Sequence, residues 1–436
     1  MTIDDRTMKA LASILPHLLA LAVIIASDDQ PLSPHLHGLE DLGELRGLTA
    51  SWDGTALTLR SPEKTPTSPG SGYAWAVIPS PKTGWDLERR ASVTAEITNC
   101  GTAPLNVLFW VVGDHGWDAV PDSAKLAPGE TRHFACDLRA TFPDGTPKLD
   151  PTQIKQLQVM ISGRIAGPAI LEVRELKASG EAPEWKRPPT RLDVPNVEDA
   201  SPHPGHRVRY RLTGDEAIYS VLQLPQDWTP GETYPLIVEY PGNIFLVPSC
   251  YSTGLPDQCV IGYGMTKGKG AICLGLPFVD LAAGAIAENG WGVPDDTANY
   301  AMRMIEEICT KFGGDRKNIV LTGFSRGAIA CGFIGLRNDR IAALWKGFHA
   351  CQHHDGDGWN GASLEGALER AKRFRGKSVF QTDNSPEKFQ PIMDAMQASA
   401  TFVRSGLGAH ATAMFLDDRP STQELRAWFA TLVRSD

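Results

Sequence analysis

The pentapeptide Gly323-Phe324-Ser325-Arg326-Gly327 has the residues best suited to covalent chemistry in this chain. A short apolar run precedes it and a run of small residues follows, which predicts a strand that turns directly into a helix. Such a turn exposes the serine hydroxyl at the end of the strand, and the flanking glycines remove side chains that would collide there. A serine in this position is a nucleophile for acyl transfer if a base lies nearby.

His410 is the histidine best placed to be that base. It follows a predicted late strand, and no histidine comes after it in the chain. Hydrolases with this turn have the chain order serine, acid, histidine, which His410 satisfies. His349, His353 and His354 are the alternatives, but they come early for this order.

The acid that orients the histidine has two candidates. Asp383 follows the predicted strand 378–381, where this architecture usually has its acid, and we place it first. Asp355 follows the preceding strand, a position that some hydrolases use, and it stays second. Asp417 and Asp418 come after His410 and fit the order badly.

An acyl-transfer site also needs hydrogen-bond donors for the oxyanion. One donor is expected to be the backbone N–H of Arg326, directly after the nucleophile. The second is expected from Asn243 or Ile244, in the loop after the predicted strand 234–240. For the Arg326 side chain, contact with an anionic or polar substrate group and contact with solvent are equally consistent with the sequence.

The loop 353–358 reads His-His-Asp-Gly-Asp-Gly, and we expect it to shape the substrate site through His354 and Asp355. A metal-dependent hydrolase that uses the histidines and aspartates of 349–357 is a remote alternative. The eight cysteines form no Cys-x-x-Cys pair and no zinc-like spacing. We therefore expect no metal site.

Strands and helices alternate from residue 207 onward, which predicts a mostly parallel sheet with its site at the strand carboxyl ends. Residues 207–212 and 217–225 read as an antiparallel pair, and residues 234–240, 270–277, 318–322, 341–348, 378–381 and 401–404 as further strands. Helices are predicted at 296–312, 364–374, 387–398 and 423–433. The fold class is therefore an α/β domain at 207–436.

Short period-two runs, separated by turn residues, fill the first half of the chain. They predict an all-β sandwich or jelly roll at 45–178. The proline-rich stretch 179–206 reads as a stiff, extended linker that keeps two domains at a defined separation.

This first half resembles the galactose-binding-like, carbohydrate-binding jelly rolls that are attached to agarases. The features that carry the resemblance are Trp85-Asp86-Leu87, Ile97-Thr98-Asn99-Cys100-Gly101, Leu126-Ala127-Pro128-Gly129-Glu130 and Leu149-Asp150-Pro151. The resemblance implies a sugar-binding or accessory role. Trp75, Trp110 and Trp117 could stack on sugar faces, although packing is the commoner role of such aromatics.

The second half resembles the esterase D, feruloyl esterase and polyhydroxybutyrate depolymerase-like branch of the α/β-hydrolases. The resemblance rests on Gln223-Leu224-Pro225, Tyr234-Pro235-Leu236-Ile237-Val238 and the segment 315–327 with its Leu-Thr-Gly-Phe-Ser-Arg-Gly sequence. It implies a cofactor-free serine esterase that uses Ser325 and His410. Pro241 replaces the family's histidine, so the specificity of the family does not transfer.

The remaining features concern location. A net charge of -9 argues against a nucleic-acid partner. Residues 1–27 read as an export signal, no other stretch suits a membrane span, and we expect a secreted or periplasmic protein. Cys250–Cys259 and Cys100–Cys136 are then the sequence-local pairings, whereas Cys273, Cys309 and Cys331 read as buried thiols.

These features together predict an exported serine esterase that acts on ester-decorated polysaccharide, such as acetyl, feruloyl or uronic-acid esters. One alternative is a hydrolase of polyesters or aliphatic esters in which the β domain is a spacer. From a different class, the chain could be a glycan-binding protein with an inactive hydrolase domain, although the intact serine motif argues against that interpretation.

Overall fold

The computed structural model describes residues 29–33, 36–61, 72–113, 118–163 and 168–434. The predicted export signal and Trp117 lie outside these ranges. No helix within them combines the length and the apolar content that a membrane crossing requires.

The first half of the described chain folds into two antiparallel sheets. Its strands are β1 (Gln30–Pro31), β2 (Leu45–Arg46), β3 (Thr49–Trp52), β4 (Leu57–Arg60), β5 (Tyr73–Pro79), β6 (Arg90–Asn99), β7 (Leu105–Gly113), β8 (Ala119–Leu126), β9 (Thr131–Asp137), β10 (Ile154–Ser162) and β11 (Ile170–Glu181). One sheet has the order β3-β4-β11-β6-β9, with β1 added to β11, and the other has the order β2-β5-β10-β7-β8.

Alternating apolar residues of these strands form the core between the two sheets. Leu57 and Ile97 of one sheet and Phe109 and Val159 of the other are fully buried in a single cluster. This is the sandwich that period-two alternation predicts, because successive side chains of a strand point to opposite faces.

The outer face of the second sheet is buried as well. Trp75, Trp110 and Met160 pack against Ile244 and Leu246 of the second half of the chain. The near-continuous apolar run of β7 therefore belongs to a strand that is covered on both faces.

The two halves are in contact, so the predicted separation by a stiff linker is wrong. Arg46 Nη2 lies 2.8 Å from Glu288 Oε1 across the contact. Within the linker, Arg191 pairs with Asp118 at 2.8 Å, and the Leu192 N–H donates to the Leu416 carbonyl at 2.7 Å. The linker is thus packed along both halves instead of spanning a gap.

The second half is built on a nine-stranded sheet in the described chain. Its strands are β12 (Val197–Glu198), β13 (Arg207–Tyr210), β14 (Ser220–Gln223), β15 (Tyr234–Tyr240), β18 (Ile272–Gly275), β21 (Gly314–Phe324), β22 (Trp345–Cys351), β23 (Ser378–Thr382) and β24 (Ala400–Val403). Two hairpins stand outside it, β16 (Phe245–Val247) with β17 (Cys250–Ser252) and β19 (Val279–Asp280) with β20 (Ala285–Ile286).

The sheet has the order β12-β13-β14-β18-β15-β21-β22-β23-β24 and is mixed. The strands from β18 to β24 in this order are parallel, whereas β14 runs antiparallel to both of its neighbours. The parallel block brings the carboxyl ends of β15, β21, β22, β23 and β24 to one edge, where a site is expected.

Helices connect these strands. They are α1 (Ile261–Thr266), α2 (Pro294–Phe312), α3 (Arg326–Phe333), α4 (Asp339–Ala342), α5 (Leu364–Ala371), α6 (Pro386–Met396) and α7 (Pro420–Arg434). The predicted strand 341–348 begins only at Trp345, because the Asn338 side chain caps α4 by accepting from the N–H groups of Arg340 and Ile341.

Candidate active site

Ser325 stands in a sharp turn between β21 and α3. Its backbone has φ 55° and ψ -118°, a conformation that is strained for a residue with a side chain. A Cβ added to Gly327 would lie 1.9 Å from the Tyr240 oxygen, and one added to Gly323 would lie 2.2 Å from the Gly327 carbonyl carbon. The turn therefore depends on both glycines, as the sequence predicts.

Ser325 opens into a cavity of about 240 Å³. The cavity is lined by Asn243, Phe245, Cys250, Ser252, Phe324, Ser325, Arg326, Ile329, His353, Trp359 and His410. Its volume lies below the roughly 300–1,000 Å³ of pockets for drug-sized ligands. The size fits a short acyl group better than a long one.

The structure brings His410 to this cavity. Its ring is half-buried and lies 4.5 Å, centroid to centroid, from the Phe324 ring. Burial, with the nearby His353 adding to it, lowers the pKa of His410 to about 4. The imidazole is therefore neutral at pH 7, which is the form that a general base needs.

Asp383 comes to the same edge of the sheet but binds a different partner. Its carboxylate accepts from the Ser405 N–H at 2.8 Å and from the Ser405 hydroxyl at 2.5 Å. No hydrogen bond joins His410 to Ser325 or to Asp383 among the described residues. As placed here, Asp383 anchors the start of the loop that carries His410.

A second histidine, His353, also lines the cavity and does have a carboxylate partner. Its Nδ1 lies 2.7 Å from Asp357 Oδ2, and its ring stands perpendicular to that of His410 at 5.7 Å. Although burial opposes it, the hydrogen bond from His353 holds the pKa of Asp357 below its ordinary value. Because the expected chain order is serine, acid, histidine, His353 is a weaker candidate for the base than His410. The i, i+4 spacing to Asp357 was the signal for this pair.

His354 and Asp355 are not brought to the cavity. Both are buried, and Asp355 forms a two-pronged ion pair with Arg370 at 2.7 and 2.8 Å. The His354 ring packs edge-on against Phe389 at 5.3 Å. The geometry gives these residues a structural place, without the substrate contact expected from the sequence.

His349, the remaining early histidine, lies in the sheet. Its two ring nitrogens are 2.8 Å from the Thr322 hydroxyl and 2.9 Å from the Thr382 hydroxyl. Burial lowers its pKa to about 3, so it is a neutral core residue.

The expected oxyanion donors differ in availability. Arg326 is the first residue of α3, where a backbone N–H has no partner within the helix. The Ile244 N–H donates to the Glu288 carbonyl at 2.8 Å, whereas the Asn243 N–H has no partner in the described chain. Asn243 also lines the cavity, so of the two candidates for the second oxyanion donor only Asn243 is available.

The Arg326 side chain contacts neither the substrate space nor solvent, the two alternatives that the sequence left open for it. Its guanidinium is buried, lies 4.0 Å above the Phe278 ring and donates to four carbonyls at 2.8–2.9 Å. The carbonyls belong to Gly242, Gly254, Ala287 and Gly290. Burial lowers its pKa to about 9. This side chain holds three chain segments together, including the one that presents Asn243.

The sandwich reaches the edge of the site. Trp110, Phe142 and Lys148 line a narrow cavity together with His410 and Thr412. Arg419 donates to the Ser405 carbonyl at 3.0 Å and pairs with Asp144 of the sandwich at 3.0 Å. The loop that carries His410 is thus held by both halves of the chain.

The structure decides between the alternatives for two tryptophans of the first half and for the cysteines of both halves. Trp75 and Trp110 are buried between the second sheet and the Ile244–Leu246 segment, so they cannot stack on a sugar. None of the eight cysteines forms a disulfide, and the Cys136 thiol donates to the Phe109 carbonyl instead. Cys250 lines the cavity, but burial raises its pKa to about 12, which excludes a reactive thiolate.

No family model matches the sequence, and no curated protein matches it. Among solved structures, apo AtxE2 isopeptidase is similar at 14% identity and TM-score 0.40, over 89% of this chain and 62% of that one. One of two fungal esterases from Rhizomucor miehei is similar at 12% identity and TM-score 0.34, over 49% of this chain and 78% of that one.

An exo-β-agarase is similar at 13% identity and TM-score 0.27, over 36% of this chain. This chain spans 25% of the agarase and 62% of the isopeptidase. Because these values are low, the function proposed for the protein rests on the geometry of the site.

Proposed function

We propose that this protein is a serine hydrolase of carboxylic esters. The observation that carries the proposal is the strained Ser325 turn, which opens into one cavity with a neutral histidine and with the loops that present the Arg326 and Asn243 N–H groups. A nucleophile, a base and oxyanion donors are the parts that acyl transfer needs.

In the proposed reaction, the Ser325 hydroxyl attacks the ester carbonyl while His410 takes its proton. The oxyanion accepts hydrogen bonds from the Arg326 and Asn243 backbones, and His410 then protonates the departing alcohol. Water attacks the acyl-enzyme, again losing its proton to His410, and the acid leaves as Ser325 regains its proton.

The His353–Asp357 pair is a second candidate for the base. The 2.7 Å hydrogen bond to Asp357 favours it, because a carboxylate on Nδ1 fixes the tautomer that leaves Nε2 free to accept a proton. His410 keeps the first place, because of its position after the last strand of the sheet and its neutral state.

For the substrate, we propose short acyl esters on a polysaccharide, with the protein acting outside the cytoplasm. The cavity volume supports a short acyl group, and the resemblance of the first half to sugar-binding modules supports the polysaccharide. The alternative substrate is a polyester or simple aliphatic ester, which needs no sugar recognition.

Hydrolysis assays on p-nitrophenyl acyl esters and on acetylated or feruloylated glycans test the proposal. Ser325→Ala is expected to abolish turnover, and acetyl or propionyl esters to be cleaved faster than octanoyl esters. Comparison of His410→Ala with His353→Ala identifies the base, since its removal costs about 10²–10⁴-fold in rate.

The other outcomes of the assay also have a meaning. Turnover that survives in Ser325→Ala and is lost with a chelator would replace the proposal with a metal-dependent hydrolase. Glycan binding without any turnover would replace it with a binding protein.

A further inference from the structure

Glu198, His203 and His206 converge on the surface, beside the first strands of the nine-stranded sheet. The Glu198 Oε1 atom lies 2.9 Å from His206 Nδ1 and 3.6 Å from His203 Nε2. One potential ligand atom from each residue lies within 4.8 Å of the other two. None of the three lines the Ser325 cavity, so the active site does not account for them.

The distances suit a transition-metal ion. Zinc bonds of about 2.0–2.1 Å in a tetrahedron place the ligand atoms roughly 3.3 Å from one another. The observed separations of 2.9 and 3.6 Å lie on either side of that value. The two imidazole rings lie 3.7 Å apart, centroid to centroid, with a 33° tilt, and each has a nitrogen next to the same carboxylate.

The backbone prepares His203 for this role. Its Nδ1 lies 2.8 Å from the Ser201 carbonyl, which can only accept, so Nδ1 carries the proton and the Nε2 lone pair is free. A carbonyl that holds the other nitrogen in this way is the usual support of a metal-binding histidine. The loop 199–206 is held at its two ends, because β12, which precedes it, pairs with β13, which follows it. Pro202 and Pro204 restrict the backbone of this loop.

The charge around Glu198 also favours a cation. Arg209 and Arg211 pair with the adjacent Asp199, at 3.0 and 3.3 Å. Within the described ranges, no lysine or arginine forms an ion pair with Glu198, whose partners are the two histidines. The carboxylate is therefore available to neutralise part of the charge of a metal ion.

We propose that Glu198, His203 and His206 bind a zinc ion, with the fourth position open to water. Two imidazoles and one carboxylate are ligands that zinc accepts, and cobalt(II) can replace it as a spectroscopic probe. The bound ion ties the loop between β12 and β13 to the edge strand β12. This site is independent of the proposed esterase function.

Metal titration of the full chain tests the site. Tag-free protein is stripped with a chelator and titrated with Zn²⁺ against a chromogenic competitor, and separately with Co²⁺ while the visible absorption is recorded. One zinc ion per chain and the intense visible bands of tetrahedral Co²⁺ are expected. His203→Ala, His206→Ala and Glu198→Gln should each weaken binding at least about tenfold.

His133→Ala is the matched control, because His133 is an exposed histidine of β9 outside the cluster. Its zinc affinity should equal that of the wild type. Thermal melting without metal shows that each variant is folded, which is expected because the three side chains are 42–49% exposed. Wild-type affinity equal to that of the His203→Ala/His206→Ala double variant would overturn the proposal.

Discussion

At the scale of single residues, the two cavity histidines determine the pH dependence. The pKa of His410 falls from an ordinary 6.5 to about 4, because burial disfavours the imidazolium and His353 adds to the effect. If neutral His410 is the base, kcat/KM should be constant at neutral pH and fall in acid with a midpoint near 4. A profile of kcat/KM between pH 3 and 8 on a p-nitrophenyl ester measures this midpoint.

The same profile separates the roles of the two histidines. His353→Ala removes the smaller of the two contributions to the low His410 pKa and leaves most of its burial, so the acid midpoint should move only part of the way back towards 6.5 while turnover persists. A loss of turnover equal to that of His410→Ala would contradict His410 as the base. The unfolded chain binds the extra proton below pH 6.5, so this histidine also lowers the free energy of unfolding as pH falls from 6.5 towards 4.

Arg326 gives a stability prediction at the same scale. Arg326→Met leaves four carbonyls without their donor, two of them in buried and two in part-buried hydrogen bonds, and each such group costs about 1–3 kcal/mol when it is fully buried. We expect the free energy of unfolding in urea to fall by at least about 3 kcal/mol. The matched control, Arg375→Met, changes an exposed arginine, and its free energy of unfolding should stay within about 0.5 kcal/mol of the wild-type value. Equal values for the two variants would show that the carbonyl contacts add nothing.

Some of these residues could be predicted from the sequence and others could not. Ser325 and its glycines form a local motif, and the conformation they require is visible in five consecutive residues. The target of the Arg326 guanidinium is not local, because carbonyls from residues 242, 254, 287 and 290 meet only in the folded chain. The Glu198–His203–His206 cluster was not predicted, because its spacing of five and three residues matches no regular element, and its ligand atoms meet only through the fold of the loop between β12 and β13.

At the scale of elements, the elbow between β21 and α3 allows a direct test. In Gly327→Ala, the new Cβ would lie 1.9 Å from the Tyr240 oxygen, so β15 and α3 must separate. We expect a lower melting temperature and loss of turnover. Gly366→Ala is the control, because the three atoms nearest to its new Cβ belong to side chains, the closest being Arg370 Nη1 at 3.0 Å. If both variants kept wild-type stability and activity, the close approach at the elbow would be refuted.

The predicted ends of helices and strands agree with the structure where capping residues mark them clearly. The helix predicted at 296–312 is α2, which starts at Pro294 because proline suits the first turn and ends at Gly313 with φ 77°. The strand predicted at 341–348 failed at its start, because the Asn338 cap is stronger than the apolar pattern that follows it. Periodicity cannot separate a short apolar strand from a short capped helix.

At the scale of the whole molecule, the contact between the two halves has a consequence for truncation. Removing residues 1–181 would expose Ile244, Leu246 and Tyr251, which pack against the second sheet. It would also remove Asp144, a partner of Arg419 in the loop of His410. We expect the shortened chain to aggregate or to melt at a lower temperature, as measured by soluble yield and thermal melting.

A soluble shortened chain with the melting temperature of the whole protein would contradict this account of the contact. The contact also explains why the prediction of two halves kept apart by a stiff linker was wrong. Proline content predicts an extended backbone in residues 179–206, but it does not tell whether that backbone crosses a gap or lies along a surface.

The most direct test of the central claim is the intact mass of the protein after reaction with a fluorophosphonate. Such reagents phosphonylate a serine only when a base and oxyanion donors activate it. We expect one adduct per chain, located at Ser325 by peptide mapping, absent in Ser325→Ala and formed at least about 100-fold more slowly in His410→Ala. An unmodified wild-type chain, or an adduct that persists in Ser325→Ala, would contradict the assignment of Ser325 as the nucleophile.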